Sequence, residues 1–205
     1  DISGSIDLTD TKVIFSQLNY VKKNGKKSNL FFDINFKLNE KYNIKSFKFI
    51  TDKDNINASN IKLNKNFQLI DLKKIEVKTF LENENNNNFL IEKSKKIKVT
   101  GDVFDAQPLL KSLYKKNKRK NFSKNFNNDI KVNFSKTLTG TDDLISDVSM
   151  IASINKGSFE KLSLKGNFSK DEIVEISIYP TDKNKKSLYV MSDRAKPFVK
   201  NFNFI

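Results

Sequence analysis

Two pairs of adjacent carboxylates, Asp142-Asp143 and Asp171-Glu172, have the residue types for general acid–base work or for holding a cation. Such chemistry needs a partner group at a fixed distance, or ligands at metal-site spacing. Neither pair has a base or such spacing around it, and the chain contains no Cys and no His. That removes thiol nucleophiles, imidazole bases, a Ser-His-Asp triad and the usual zinc ligands. No Gly-rich phosphate loop is present. The paired carboxylates are read as solvated loop residues. A carboxylate-pair enzyme acting on polysaccharide ranks low, because neither pair sits in a recognisable frame. Asp105 and Asp193 each precede a helix-like segment, where Asp usually caps the first turn. The expectation is a protein without catalytic residues, metal or cofactor.

The elements that carry these residues occur twice. Asp105-Ala106-Gln107-Pro108-Leu109-Leu110-Lys111 is matched by Arg194-Ala195-Lys196-Pro197-Phe198-Val199-Lys200, about 89 positions later. Each copy follows a strand-like run, Ile97-Lys98-Val99 or Leu188-Tyr189-Val190, and continues with helical spacing. Internal repeats decide architecture early, because a module that cannot bury its apolar face alone must stack on a neighbour. The pattern predicts two β modules, 1–114 and 129–205, each ending in a short helix, joined by a basic connector at 115–128. The helices are expected over 106–114 and 194–204, with Pro108 and Pro197 in their first turns. Ala195, Phe198, Val199 and Phe202 form the second one's apolar stripe, and Ser192 or Asp193 is its expected cap.

Between the helices the chain alternates. In the clearest strand, Leu30, Phe32, Ile34, Phe36 and Leu38 share one face, with Asp33, Asn35 and Lys37 opposite. Similar runs recur at roughly ten-residue intervals, from Phe47 with Phe49 to Val174-Ile176-Ile178, which reads as successive antiparallel strands. Asn24-Gly25 is a hairpin signal, residues 83–88 read as a polar loop, and Asn155-Lys156-Gly157 is a turn. Gly4, Gly101 and Gly166 stand where a bulge or bend is expected. The fold class is therefore mainly β, with one dry and one wet face. Two short helices cannot cover so many strands. The dry face is closed either by a second sheet, as in a sandwich, or by one curved sheet folding over it.

The chain has 205 residues, a formal net charge of +14, 18 Phe and only 37% hydrophobic residues. A basic surface attracts nucleic acid, anionic lipid or other polyanions. The lysines are spread along every strand, as on a solvated surface. The densest run is Lys115-Lys116-Asn117-Lys118-Arg119-Lys120, and Lys22, Lys23, Lys26 and Lys27 surround the Asn24-Gly25 turn. The Lys and Asn excess is also what an AT-rich coding sequence produces. No stretch of about 18 apolar residues and no signal peptide is visible. The first residues already alternate as a strand, and the expectation is an excised piece of a longer protein.

Three segments together resemble the AsmA-like proteins, in particular the YhdP-type branch. Leu18-Asn19-Tyr20-Val21-Lys22-Lys23-Asn24-Gly25 resembles that branch's aromatic-x-Lys-x-x-Gly hairpin. Gly101-Asp102-Val103-Phe104-Asp105-Ala106-Gln107-Pro108-Leu109-Leu110 is similar to its Gly-x-x-Phe/Leu-Asp-Ala/Leu-x-Pro-Leu-Leu element. Ser192-Asp193-Arg194-Ala195 resembles its strand-to-helix step, usually Ser-x-Asp-Ala-Gly. Here Arg194 separates Asp193 from Ala195, and Lys196 stands where Gly is frequent.

The resemblance implies a curved antiparallel sheet forming an apolar groove, a β-taco-like trough that shields phospholipid acyl chains. It implies a C-terminal-region piece of a periplasmic protein, anchored in the inner membrane by a segment outside this chain. Such proteins serve phospholipid transport to the outer membrane or its maintenance. The lining expected on this reading is Phe32, Ile34, Phe36, Phe47, Phe49, Val132, Phe134, Leu162, Leu164, Ile176 and Ile178. The implied partners are acyl chains, weakly an anionic membrane surface, and neighbouring β modules of the same full-length protein, without specific nucleic-acid binding. The alternatives are a basic β-rich module binding nucleic acid or another polyanion, or a purely structural β-sandwich. A stacking platform for nucleic acid would need aromatics on the wet face, whereas most Phe here fall in phase with the aliphatic positions.

Overall fold

A computed structural model of the chain describes residues 1–37, 41–113, 122–182 and 185–199. Leu38, Tyr114, the basic run at 115–120 and Phe202 lie outside those residues. The fold is mainly β. The first half contains β1 (Ile2–Asp7), β2 (Val13–Phe15), β3 (Tyr20–Lys22), β4 (Ser28–Lys37), β5 (Lys41–Thr51) and β6 (Asn55–Asn64). It continues with β7 (Leu69–Asp71), β8 (Lys74–Leu81), β9 (Glu84–Lys93), β10 (Ile97–Asp105) and the helix α1 (Gln107–Leu113). The second half contains β11 (Asn128–Leu138), β12 (Leu144–Asn155), β13 (Ser158–Asn167), β14 (Ile173–Asp182), β15 (Lys185–Ser192) and α2 (Lys196–Val199).

Thirteen strands form one sheet in the order β1-β4-β5-β6-β8-β9-β10-β11-β12-β13-β14-β15, with β7 beside β6. Every pairing in it is antiparallel except β10 with β11, where the chain crosses over through α1 and returns parallel. Tight turns keep neighbours adjacent. Glu82-Asn83 joins β8 to β9 and Lys156-Gly157 joins β12 to β13, all four residues at positive φ. That is the turn form whose twist matches paired strands.

The sheet is curved and open. Ile61 of β6 and Ile154 of β12 share one buried cluster with Leu72, Ile97 and Phe126. Five strand pairings separate them, which on a flat sheet is roughly 24 Å at ~4.8 Å per strand. The dry face bends inward around the segment carrying Phe122 and Phe126, whose rings stack 4.7 Å apart. A second cluster gathers Val132, Phe134, Ile145, Val148 and Val174, with Phe198 of α2 packed against it. A third gathers Tyr20, Phe49, Ile56 and Val77 beneath the small β2–β3 sheet. The sheet does not close into a barrel: among the described residues β1 pairs only with β4 and β15 only with β14.

Four local readings are corrected. Asn24-Gly25 makes a turn, with Gly25 at φ 77°, but not a hairpin. β3 pairs with β2 while β4 pairs with β1 and β5, so the turn passes between two sheets. Residues 84–88 are not loop but the start of β9. Asn86 and Asn87 are buried there, and both amides donate to the Leu18 carbonyl. Asp193 does not cap α2; its Oδ2 accepts from the Ile173 backbone N–H at 2.7 Å and closes the β14–β15 pair. Gly4 sits in a β1–β4 pairing without a register shift. Gly101 does mark a bulge, with the β9–β10 register shifting between Gly101 and Val103. Asp105 behaves as expected at α1: its Oδ1 accepts from the Gln107 N–H at 3.0 Å.

Candidate functional site

Strand register converts the alternating runs into rows that cross the sheet. One row runs Gly4, Phe32, Phe47, Ala58, Ile75, Ile91 and Val99 through the first half. It continues through Val132, Met150, Leu164, Ile176 and Val190 to the far edge. After Gly4 every member is apolar. Every member except Val132 keeps access to solvent, from half-buried in the middle to exposed at the two edge strands.

The rows on either side are more deeply covered. On one flank Phe49, Ile56, Val77, Phe134, Val148 and Val174 are buried. In the first half that flank lies under Tyr20, Val13, Phe15 and Leu18 of the β2–β3 segment; in the second half it packs against Phe104, Phe168 and Phe198. On the other flank Ile61, Ile97 and Ala152 are buried, and Phe126 with its neighbour Phe122 fills the bend. The middle row thus forms the floor of an apolar trough running edge to edge, across the strands. At ~4.8 Å per strand its length along the sheet is roughly 50 Å.

The covering segment is pinned by a buried polar node. Asp54 Oδ2 accepts from the Tyr20 hydroxyl at 2.7 Å, Lys26 Nζ at 2.7 Å and Thr51 Oγ1 at 2.6 Å, while Oδ1 accepts from Phe80 N–H. Burial by itself raises the Asp54 carboxyl; the bonds from Lys26, Thr51 and Tyr20 outweigh it and hold the group below its ordinary value. The same burial, with Asp54 beside it, pushes the Tyr20 hydroxyl far up. Lys22 is buried too, and its Nζ donates to the carbonyls of Leu8 and Thr9. It does not belong to an exposed basic rim, and Lys26 is spent on Asp54; Lys23 and Lys27 are the exposed cations at that turn.

The expected lining residues separate by row. Phe32, Phe47, Val132, Leu164 and Ile176 lie in the middle row. Phe49 and Phe134 lie in the buried flank. Ile34, Leu162 and Ile178 lie in the opposite flank, paired with Ile44, Ala152 and Leu188 among others. Phe36 is further out, opposite Tyr42, whose ring stacks on Phe67. Ala58, Ile75, Ile91, Val99, Met150 and Val190 were missed. Their alternation was visible, but only register shows that they continue the same row.

The opposite face is polar. One register row runs Phe31, Lys48, Asn57, Glu76, Leu90, Thr100, Asn133, Ser149, Lys165 and Glu175, polar at all but Phe31 and Leu90. An open hollow of about 850 Å³ on this side is lined by Glu76, Lys78, Asn88, Asp102, Asn133 and Asp147 among others. The Phe residues flanking Lys48, and Phe122 and Phe126, belong to the apolar side. Phe31 is an aromatic on the polar face, beside Lys48.

Three of the four paired carboxylates, Asp142, Asp143 and Glu172, hold cations, while Asp171 is an exposed loop residue as expected. Arg194 Nη1 bonds Asp143 Oδ1 at 2.8 Å, its Nε and Nη2 bond Glu172, and its guanidinium lies over the Phe168 ring. Lys196 pairs with Asp142 at 2.9 Å. Arg194 and Lys196 of the second repeat copy therefore anchor α2 to the β11–β12 loop. Among the described residues there is no group of three or more potential metal ligands, and no helix is long and apolar enough to cross a membrane. The arrangement defines an open, one-sided antiparallel β sheet with an apolar trough. No family model, curated protein or solved structure matches the chain.

Proposed function

We propose that this chain is a lipid-handling segment that shields acyl chains along its apolar trough. The carrying observation is the row from Phe32 to Val190, apolar at each of eleven paired positions and solvent-accessible at all but Val132. A structural sandwich buries such a row; here the flanks are filled and the floor is left accessible. The trough is several times longer than the ~15 Å of one bilayer leaflet's hydrocarbon, so extended chains fit along it. Each buried CH₂ stabilises by about 0.8 kcal/mol, so a sixteen-carbon chain gains roughly 10 kcal/mol before ordering costs.

The three motif resemblances support placing this segment in a periplasmic, inner-membrane-anchored AsmA-like protein that serves phospholipid passage to the outer membrane. On this reading it is not an enzyme and needs no cofactor. Headgroups stay in solvent, with at most weak attraction from lysines, roughly 1 kcal/mol each near an anionic surface and less in salt. The test is lipid extraction and native mass spectrometry after bacterial expression, with a photo-crosslinker at position 91 or 164. Co-purifying phospholipid crosslinked at these positions is expected. Absence of both would defeat the proposal.

A further inference from the structure

The joint between the two halves of the chain shows how an edge of this sheet is extended. β10 leads into α1, and β11 then pairs with β10 in parallel, Val99 beside Val132. β15 leads into α2 in the same way, and α1 and α2 begin at equivalent positions of the repeat, Gln107 and Lys196. The outer edge of β15 is therefore the counterpart of the edge that β10 gives to β11. β1 likewise stands to β4 as β11 stands to β12: first strand of its half, antiparallel to the next, with its other edge unpaired among the described residues.

Both outer strands present the surface such a joint buries. Ile2 and Ile6 are 51% and 45% exposed; Leu188 and Val190 are 65% and 46% exposed. Their charges are complementary. Residues 1–7 carry Asp1 and Asp7 and no cation, while β15 carries Lys185 and Lys186 and no anion. Edge lysines oppose indiscriminate pairing, but they suit an acidic strand. Antiparallel pairing of β1 with itself about Gly4 would instead set Asp1 against Asp7.

We propose that β15 receives β1 of a second copy of this chain as a parallel strand, repeating the β10–β11 joint head to tail. Leu188 then lies beside Gly4 and Val190 beside Ile6, so the apolar face continues from one copy into the next, with the middle row of one copy meeting the flank row that Ile6 begins in the other. On the polar face Lys185 meets Asp1 and Ser187 meets Ser3. Main-chain hydrogen bonds supply the affinity and the alternating side chains the register. The contact uses different surfaces on the two copies, so each copy can accept one neighbour and donate to another, giving oligomers larger than a dimer. It holds whether or not the trough carries lipid.

The chain has no Cys, so engineered disulfides report the joint without background. Ser3→Cys and Ser187→Cys proteins, mixed under mild oxidation, should give a mixed covalent dimer in several-fold excess over either homodimer. The double variant S3C/S187C should give a ladder of oligomers that Lys185→Glu shortens. Tyr189→Cys with Ser3→Cys, one register step away, should crosslink several-fold less. Far-UV circular dichroism checks that each variant keeps its β fold. Folded variants that give no mixed dimer, or only a Ser187→Cys homodimer, would overturn the proposal.

Discussion

The Tyr20 hydroxyl donates a 2.7 Å hydrogen bond to Asp54, a fully buried carboxylate 34 positions away on the turn between β5 and β6. This contact fastens the β2–β3 segment over Phe49, Ile56 and Val77 and so forms one wall of the trough. Tyr20→Phe keeps the ring's packing against Phe15 and Phe49 and removes only the donor. It should cost about 1.5–3 kcal/mol, the range for a bond to a charged group. Asp54→Ala strands three side-chain donors and should cost more. Urea denaturation monitored by Tyr fluorescence checks both.

Acid and alkali should each lower stability, for opposite reasons, and both act on the Tyr20–Asp54 bond of this wall. Asp54, Asp71 and Glu76 are held below their ordinary values. The stability they contribute is complete above the unfolded carboxylate range near pH 4 and is lost as pH falls through their lower folded values. The Tyr20 hydroxyl is raised, so its contribution is complete below the ordinary Tyr value near pH 10 and declines as pH rises past it. A stability profile flat from about pH 5 to 9 and falling on both sides is expected. In Tyr20→Phe the alkaline fall should shrink.

Gly101→Ala should damage the sheet locally. A Cβ at Gly101 would lie 2.3 Å from the Asn88 carbonyl oxygen and 2.5 Å from the Phe89 Cβ. Neither backbone can retreat without breaking the β9–β10 register, so an overpacking cost of about 1–3 kcal/mol is expected. Thermal unfolding, together with hydrogen exchange in β9 and β10, measures it.

Arg194→Ala releases Asp143 and Glu172 together. Because Arg194 and Glu172 keep more than a third of their side-chain surface in solvent, 36% and 38%, the loss of global stability should be modest and should shrink further in high salt. The local effect should be larger: faster amide exchange at Ile173 and in β15, with β1 to β10 unchanged.

The two faces of one strand give a paired test of the lipid proposal. Ile91 lies in the middle row and its neighbour Leu90 lies on the polar face. Ile91→Asn should lower acyl-chain retention in native mass spectrometry, and Leu90→Asn should leave it unchanged. Equal loss from both would mean that the signal does not come from the trough.

Alternation alone determined the β class, the dry and wet faces, and the placement of α1 after β10. Period-two patterning and a proline in the first turn are local properties, legible residue by residue. The repeat also predicted that the run Leu188–Val190 would lead into a second helix from about Arg194, and α2 begins at Lys196. What depended on distant partners was not legible. The Asn24-Gly25 turn carries a local hairpin signal, yet which sheet each flanking strand joins depends on residues far away in sequence. Asn86 and Asn87 look like loop residues because their value lies in carbonyls of Leu18 and Asn19. The partners of Asp142, Asp143 and Glu172 are cations brought to them only by the β14–β15 fold-back. The trough shows the same division. Sequence assigned Phe32, Phe47, Leu164 and Ile176 to an apolar face, but not to one row, because alternation is blind to register. Tertiary structure decided which residues stand side by side, and its curvature decided which rows are covered and which remains accessible.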